Sequence, residues 1–422
     1  MNLDGATLLE VKRLFTAHPL FLLGLLLLVG YGMGKLALRV RLPEITGFIL
    51  AGLLVSPFTT GIVRAEMNPM LHMVTEVAIG FLALTIGSEF SVPKLRRMGR
   101  AVAKITVVVV AGTFGLVLLG CLILDPLFPS VPLGHPYAML LAVIACATSP
   151  AIIVAEVHHL RAHGRFIDYL FGVVALTDAI TVVLFGLALT LFVNLFDTTG
   201  GYSLLGRSLA EVVYSVVAGL LCAVPFSIMV RRIRSANEVM IVTIGFVFIL
   251  TGAAIALHLS PLLMNMALGA AMVNLATGNH RIFRALEPFT PPIYALFFVI
   301  AGLEIDPYVF WSGPVMVAAG GYILIRGGAK YLTTRLGCHW CATGPAIERH
   351  LGLCMFAKGG IALGFVLLIQ TSPVMDGLRD HPEIYGNLTT LVNMVLISIF
   401  VNELVSPIFL RYAVVRGNEM EP

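Results

Sequence analysis

Apolar runs of membrane-crossing length recur from one end of this chain to the other, and they constrain its fold more than any other feature. Two examples are "FLLGLLLLVGYGMG" from Phe21 and "ITVVVVAGTFGLVLLGCLIL" from Ile105. The hydrocarbon core of a bilayer is ~30 Å thick, so a helix crosses it with about 20 apolar residues. Thirteen such spans are read, at 19–38, 44–57, 70–90, 101–124, 136–157, 166–196, 208–230, 238–257, 261–276, 288–305, 313–334, 350–370 and 388–412. Short polar, Pro- or Gly-containing loops separate them and leave no room for a soluble domain. With 58% hydrophobic and 12% charged residues the composition is that of a membrane protein. The first span lacks the cleavage site of a removed signal peptide.

Most of the 27 Lys and Arg residues fall on alternate loops. Lys35 and Arg39, the Lys94 to Lys104 group, Arg161 and Arg165, Arg231 to Arg234, Arg281 and Arg284, Arg335, Arg349, Arg411 and Arg416 share one side. Cytoplasmic loops retain such residues, which places the N-terminus outside and the C-terminus in the cytoplasm. The net charge of +4 then reflects topology, and no nucleic-acid partner is inferred from it. Cys338 and Cys341 form a CHWC near Glu348 and His350, but a structural zinc site needs four ligands at a recognised spacing, so no metal is expected. Neither HExxH nor G-x-S-x-G occurs, so enzyme chemistry is not expected. No cofactor is expected either.

The two halves carry weak similarity in the same order. "PEITGFILAGLLVSP" from Pro43 matches "PLLMNMALGAAMVN" from Pro261, and "FLALTIGSEF" matches "FFVIAGLEI", pairing Gly87 with Gly302 and Glu89 with Glu304. An odd number of spans separates the copies, so they run in opposite directions across the bilayer. The expectation is two inverted-topology repeats, about 43–196 and 261–412, as in many secondary transporters. The fifth span is interrupted at "CATSPAI" and the twelfth at "FAKGGIA". Irregular backbone at membrane depth is tolerated where it is buried in protein or lines a cavity. The fold class is therefore an all-α membrane protein of about 13 transmembrane helices with two discontinuous ones.

Asp178, in "GVVALTDAITVVLFG", lies about 14 Å into the sixth span at 1.5 Å per residue. A carboxylate at that depth costs ~3 kcal/mol or more and is a functional hypothesis by default. Such an acid is cheaper carrying a proton or a cation than bare, the minimum chemistry for exchanging one for the other. Thr177, Thr148 and Ser149 supply oxygens near it, and the break before Pro150 frees carbonyls. Lys358, at the second break, and Arg326, in the eleventh span, are the buried cations expected to balance charge. Lys330, one turn beyond Arg326, is expected to reach towards the inner surface. Asn393 and Glu76 are secondary candidates, and His258 and Asn265 rank below them. His158, His159 and His163 lie on a solvated inner loop.

"LPEITGFILAGLLVSP", "TEVAIGFLALTIGSEF", the aspartate of the sixth span, "ALFFVIAGLEID" and "AKGGIALGF" together resemble the membrane domain of the monovalent cation:proton antiporter superfamily. The Kef-like and NapA-like branches are the most similar. The resemblance implies a thirteen-span homodimer in the inner membrane with crossing broken helices, a dimerisation panel, and a moving core of about 101–196 and 313–412. It implies that Asp178 carries ion or proton, with Thr148 and Ser149 on the unwound stretch and Arg326 in place of a buried basic residue. Relatives place Asp or Asn where this chain has Thr177. With one carboxylate at the site, one-for-one exchange is expected. Many Kef-like proteins continue into a nucleotide-binding regulatory domain, and none is expected here. The reading is a transporter exchanging Na⁺ or K⁺ for protons by alternating access. An organic-anion symporter of related inverted-repeat fold and a gated K⁺ efflux channel are the alternatives.

Overall fold

The computed structural model describes residues 18–40, 44–63, 68–88, 99–196, 204–257, 259–275, 280–303, 307, 312–371 and 382–419. All regular structure among them is helical. The chain divides into two compact units, one of residues 1–78 and 287–311 and one of 79–286 and 312–422.

The first unit holds α1 (Pro19–Arg39), α2 (Glu44–Val55) and α12 (Thr290–Leu303), and the start of α3 (Asn68–Ser88). Lipid tails are as apolar as leucine, so helices in a membrane associate by close packing, which small residues permit. Gly47 lets α2 lie against the backbone of α1, where a Cβ would collide with the Met33 carbonyl. Gly52 and Gly302 face each other where α2 crosses α12, and a Cβ on either would strike the other helix's backbone. Leu22, Leu26, Ala51, Val55, Val299 and Ile300 close the apolar interior around this contact.

The second unit holds α4 (Gly99–Leu124), α5 (Tyr137–Cys146), α6 (Pro150–Leu160), α7 (Arg165–Phe196), α8 (Leu204–Arg232), α9 (Ala236–Ala256), α10 (Pro261–Leu275) and the short α11 (His280–Leu286). It continues with α13 (Gly313–Trp340), α14 (Pro345–Cys354), α15 (Gly360–Thr371) and α16 (Pro382–Glu419). Its own glycine crossing joins the end of α3 to α10 at Gly87 and Gly269. α4 lies along α13, with Thr113 Oγ1 3.3 Å from Thr333 Oγ1. At one end of the unit Val102, Ile105, Ile153, Phe166, Leu170, Leu351 and Leu410 form a common apolar cluster.

Among the described residues six helices are long and apolar enough to cross a membrane unbroken, including Gly99–Leu127, Arg165–Leu189 and Glu383–Gly417. The fifth and twelfth apolar runs behave differently. α5 has 10 residues and α6 has 11; α14 has 10 and α15 has 12. At 1.5 Å per residue each half is ~15–18 Å long, about half of the hydrocarbon thickness. Pro150, with no backbone N–H, opens α6, and the Cα of Ala147 is already extended (ψ 145°). Both interruptions therefore fall near the middle of their runs, at Ala147–Ser149 and Met355–Gly359.

Candidate functional site

The C-terminal turn of α5 has carbonyls with no partner within the helix, and in hydrocarbon each would cost several kcal/mol if left so. Arg326 and Lys330 of α13 meet them, on the face they share with Tyr322, which recurs at the same four-residue spacing. Tyr322 donates its hydroxyl to Leu141 O at 3.1 Å. Arg326 donates Nε to Ala145 O at 3.2 Å and Nη2 to Ala147 O at 3.0 Å. Lys330 donates Nζ to Cys146 O. Three successive carbonyls at the negative end of a half-helix thus face two cations.

Arg326 also reaches the other broken helix. Its Nη1 donates to Phe356 O at 3.2 Å and to Asn402 Oδ1 on α16 at 3.3 Å. The planar guanidinium, with five N–H groups in fixed directions, ties both breaks to α16. This side chain is wholly buried, and at roughly 1.5–3 kcal/mol per charged hydrogen bond these contacts offset the cost of holding it there.

Asp178, on α7, is 3% exposed. Its Oδ1 accepts the Thr148 backbone N–H at 2.8 Å. The carboxylate thereby sits by the positive N-terminal end of α6, which favours the anion. The Thr148 hydroxyl is 3.1 Å from Lys330 Nζ. One residue of the first break therefore touches the acid through its backbone and the ammonium through its side chain. Thr177, also buried, has an Oγ1 that meets no hydrogen-bond partner among the described residues. Ser149 is buried beside Gly359 of the second break. The predicted residues Asp178, Thr177, Thr148 and Ser149 are thus gathered at the first break.

The cations are distributed otherwise than expected. Lys330 does not reach towards the surface: it is fully buried and turned into the first break, because the α5 carbonyls and Thr148 offer it acceptors there. Lys358, fully buried in the second break, lies 3.3 Å from the Tyr322 hydroxyl and 3.4 Å from Ser398 Oγ. Its ammonium also stands over the Tyr322 ring, 5.0 Å from the centroid. Nor is Asp178 the one buried carboxylate. Glu403 on α16 is 1% exposed and lies beside the second break. The sequence reading did not place Lys330 at the breaks, nor Glu403, Asn402 and Ser398, which the structure brings beside them. Glu403 carried the signal that marked Asp178, an acid in an apolar run, and Lys330 stands four residues from Arg326 on the same helix face.

Asn393 is buried on α16, and its Oδ1 meets no hydrogen-bond partner among the described residues. Glu76 is half-buried and belongs to the first unit. Asn265 donates to Thr251 Oγ1 at 3.0 Å and Pro261 O at 2.9 Å, a packing role between α9 and α10. Of the CHWC neighbourhood, Glu348 lies 3.7 Å from Arg335 Nε and 3.4 Å from His339 Nδ1, and His350 Nδ1 is 3.0 Å from Ala346 O. His163 is exposed. His258, Glu89 and Glu304 lie outside the described residues, as do the side chains of His158 and His159.

Known proteins resemble the chain over nearly all of it. The ammonium/H⁺ antiporter subunit AmhT of Alkalihalophilus pseudofirmus is 23% identical over 82% of this chain and 85% of its own. The K⁺/H⁺ antiporter subunit KhtU of Bacillus subtilis is 23% identical over 90% of this chain and 92% of its own. The solved structure of the sodium proton antiporter MjNhaP1 from Methanocaldococcus jannaschii superposes with a TM-score of 0.73, covering 94% of this chain and 98% of that one at 16% identity, a likeness of fold. The family profile described as sodium/hydrogen exchanger, transmembrane, matches residues 23–414. A multi-pass helical membrane protein whose buried acid meets a broken helix, and which matches that profile almost end to end, the chain belongs to the sodium/hydrogen exchanger family of secondary transporters, which exchange a monovalent cation for protons and are not enzymes.

Proposed function

We propose that the two breaks form the exchange site and that Asp178 is the group that holds a proton and a cation in turn. The observation that carries this reading is the Asp178 carboxylate, 3% exposed in a membrane helix and bonded to the unwound backbone at Thr148. When Asp178 gives up its proton, a cation takes the vacated place. The Thr177, Thr148 and Ser149 oxygens and the freed backbone replace water around it. Arg326 and Lys330 keep their bonds to the α5 carbonyls and hold the break open. The exchanged cation is Na⁺ or K⁺; the name of KhtU supports K⁺ and that of AmhT adds ammonium to the panel worth testing.

The wider arrangement follows the same reading: thirteen spans, inverted repeats of about 43–196 and 261–412, a homodimer in the inner membrane, the C-terminus in the cytoplasm and alternating access. The repeat gains support from the glycine crossings. The similarity pairs the second span with the ninth and the third with the tenth. Gly52 with Gly302 joins the second to the tenth, and Gly87 with Gly269 joins the third to the ninth. An exchange of repeats converts one crossing into the other.

The test is a proteoliposome assay with a pH-reporting dye and imposed Na⁺, K⁺, Li⁺ or ammonium gradients. At least one cation is expected to drive protons the opposite way, and Asp178→Asn is expected to abolish that movement at an unchanged unfolding temperature. Exchange retained by this variant would overturn the assignment of Asp178.

A further inference from the structure

The second buried carboxylate stands where a site residue would be useful and where a packing residue would be costly. Glu403 is 1% exposed on α16, and an ionisable group at that depth carries a penalty on the order of 3 kcal/mol. Its surroundings are the two breaks rather than the end of a helix. A Cβ placed on Gly359 would lie 2.8 Å from Ser149 Oγ and 3.5 Å from Glu403 Oε1, so both oxygens border one point on the wall of the second break. Only hydrogen occupies that point now. Ser149 is 2% exposed and belongs to the first break, next to Thr148, whose amide is bonded to Asp178.

Polar groups extend along the same stretch of α16. Asn402 accepts from Arg326 and donates to Ser398 O at 2.6 Å, and Ser398 Oγ lies 3.4 Å from Lys358 Nζ. The charged groups gathered around the breaks are thus Arg326 and Lys330 from α13, Lys358 from the second break, Asp178 from α7 and Glu403 from α16. On α14 Glu348 lies with Arg335 and His339, His350 near Ala346 O, and Arg349 is exposed.

We propose that Glu403 is a second acid of the exchange site, a ligand for the transported monovalent cation that holds a proton when the cation is gone, with the Ser149 hydroxyl as the neutral oxygen between it and Asp178. Each carboxyl gives up one proton as it takes its share of the cation and regains one when the cation leaves. Gly359 is the residue that lets Ser149 and Glu403 face each other across the break. A counter-ion for the buried cations would need the charge of Glu403 for stability alone, whereas a ligand needs it for cation affinity.

The inference rests on the cation:proton exchange proposed above, and the same proteoliposome assay separates the two. Wild-type protein that moves no protons under any cation gradient contradicts the exchange reading itself. If wild type exchanges, apparent KM for the transported cation is measured for Glu403→Gln, Glu403→Asp and Ser149→Ala, alongside the unfolding temperature of each purified protein. Glu403→Gln is expected to raise KM about tenfold, Glu403→Asp to recover most of that loss, and Ser149→Ala to raise KM a few-fold at an unchanged unfolding temperature. A Glu403→Gln protein that exchanges with wild-type KM overturns the proposal, whatever its unfolding temperature. Should Glu403→Gln not fold, Glu403→Asp decides: a KM raised about twofold or more upholds the proposal, and wild-type KM overturns it.

Discussion

At the first break the carbonyls of Ala145, Cys146 and Ala147 are all held by cations from α13; at the second, Phe356 O is the one so held among the described residues, and the break brings a cation of its own, Lys358. The end of α14 meets part of its own need by tightening, with Met355 N donating to Gly352 O at 3.2 Å and Phe356 N to Leu353 O at 3.4 Å. The first break is thus an opened backbone braced from outside, with its Thr148 amide turned to an acid. The second is more nearly self-sufficient and contributes a charge and a glycine. Two breaks at matching positions in the sequence therefore differ in build, and under the exchange proposed above one presents the oxygens and amide to the ion while the other sets the charge around them.

The largest effect expected from this division is that of Arg326→Ala, because Arg326 bonds to both breaks and to α16. Removing it strands buried acceptors and is expected to cost about 3–5 kcal/mol, read as a large fall in thermal unfolding temperature in detergent. A cost under about 1 kcal/mol would mean that the breaks are held otherwise. Next comes the pair Lys330→Met and Lys358→Met. Lys330 bonds to a carbonyl in the first break and loses about 1.5–3 kcal/mol, while Lys358, with two long contacts to neutral hydroxyls, loses about half as much. The reverse order in unfolding measurements would break the comparison. Thr148→Val keeps the amide bond to Asp178 and removes the hydroxyl beside Lys330. It is expected to cost about 1 kcal/mol and to weaken cation binding a few-fold in the exchange assay. Smallest is Tyr322→Phe, about 0.5–1 kcal/mol by unfolding, since Lys358 keeps Ser398.

Much of this was legible in the sequence because single residues announced it. Pro150 removes a donor and Gly359 and Gly360 weaken a helix, so the two interruptions could be placed from composition alone. Asp178 stood out as an acid among apolar residues. What escaped depended on direction. Lys330 lies four residues before the end of the span expected at 313–334, where a long side chain usually turns to the surface, but α13 runs on to Trp340; that its ammonium turns inward follows from the α5 carbonyls, which are unpaired only once the helix has broken. Glu403 lies in "FVNELVSP", inside the span expected at 388–412, and only the packing of α16 beside the second break sets it apart. The glycine crossings were visible only as matched motifs, with no hint that each glycine would rest on a carbonyl of the helix it crosses.

Those crossings have a mechanical consequence. Packed helices usually shift past one another by small steps as side chains change rotamer, and this is the basis of shear motions. Where Gly52 meets Gly302, and where Gly87 meets Gly269, backbone lies on backbone and there are no rotamers to change. Such a joint has no graded positions: the two rods are either seated or parted. Each crossed pair should therefore behave as a weld, carrying its helices as one piece and leaving any give in the molecule to joints padded by side chains.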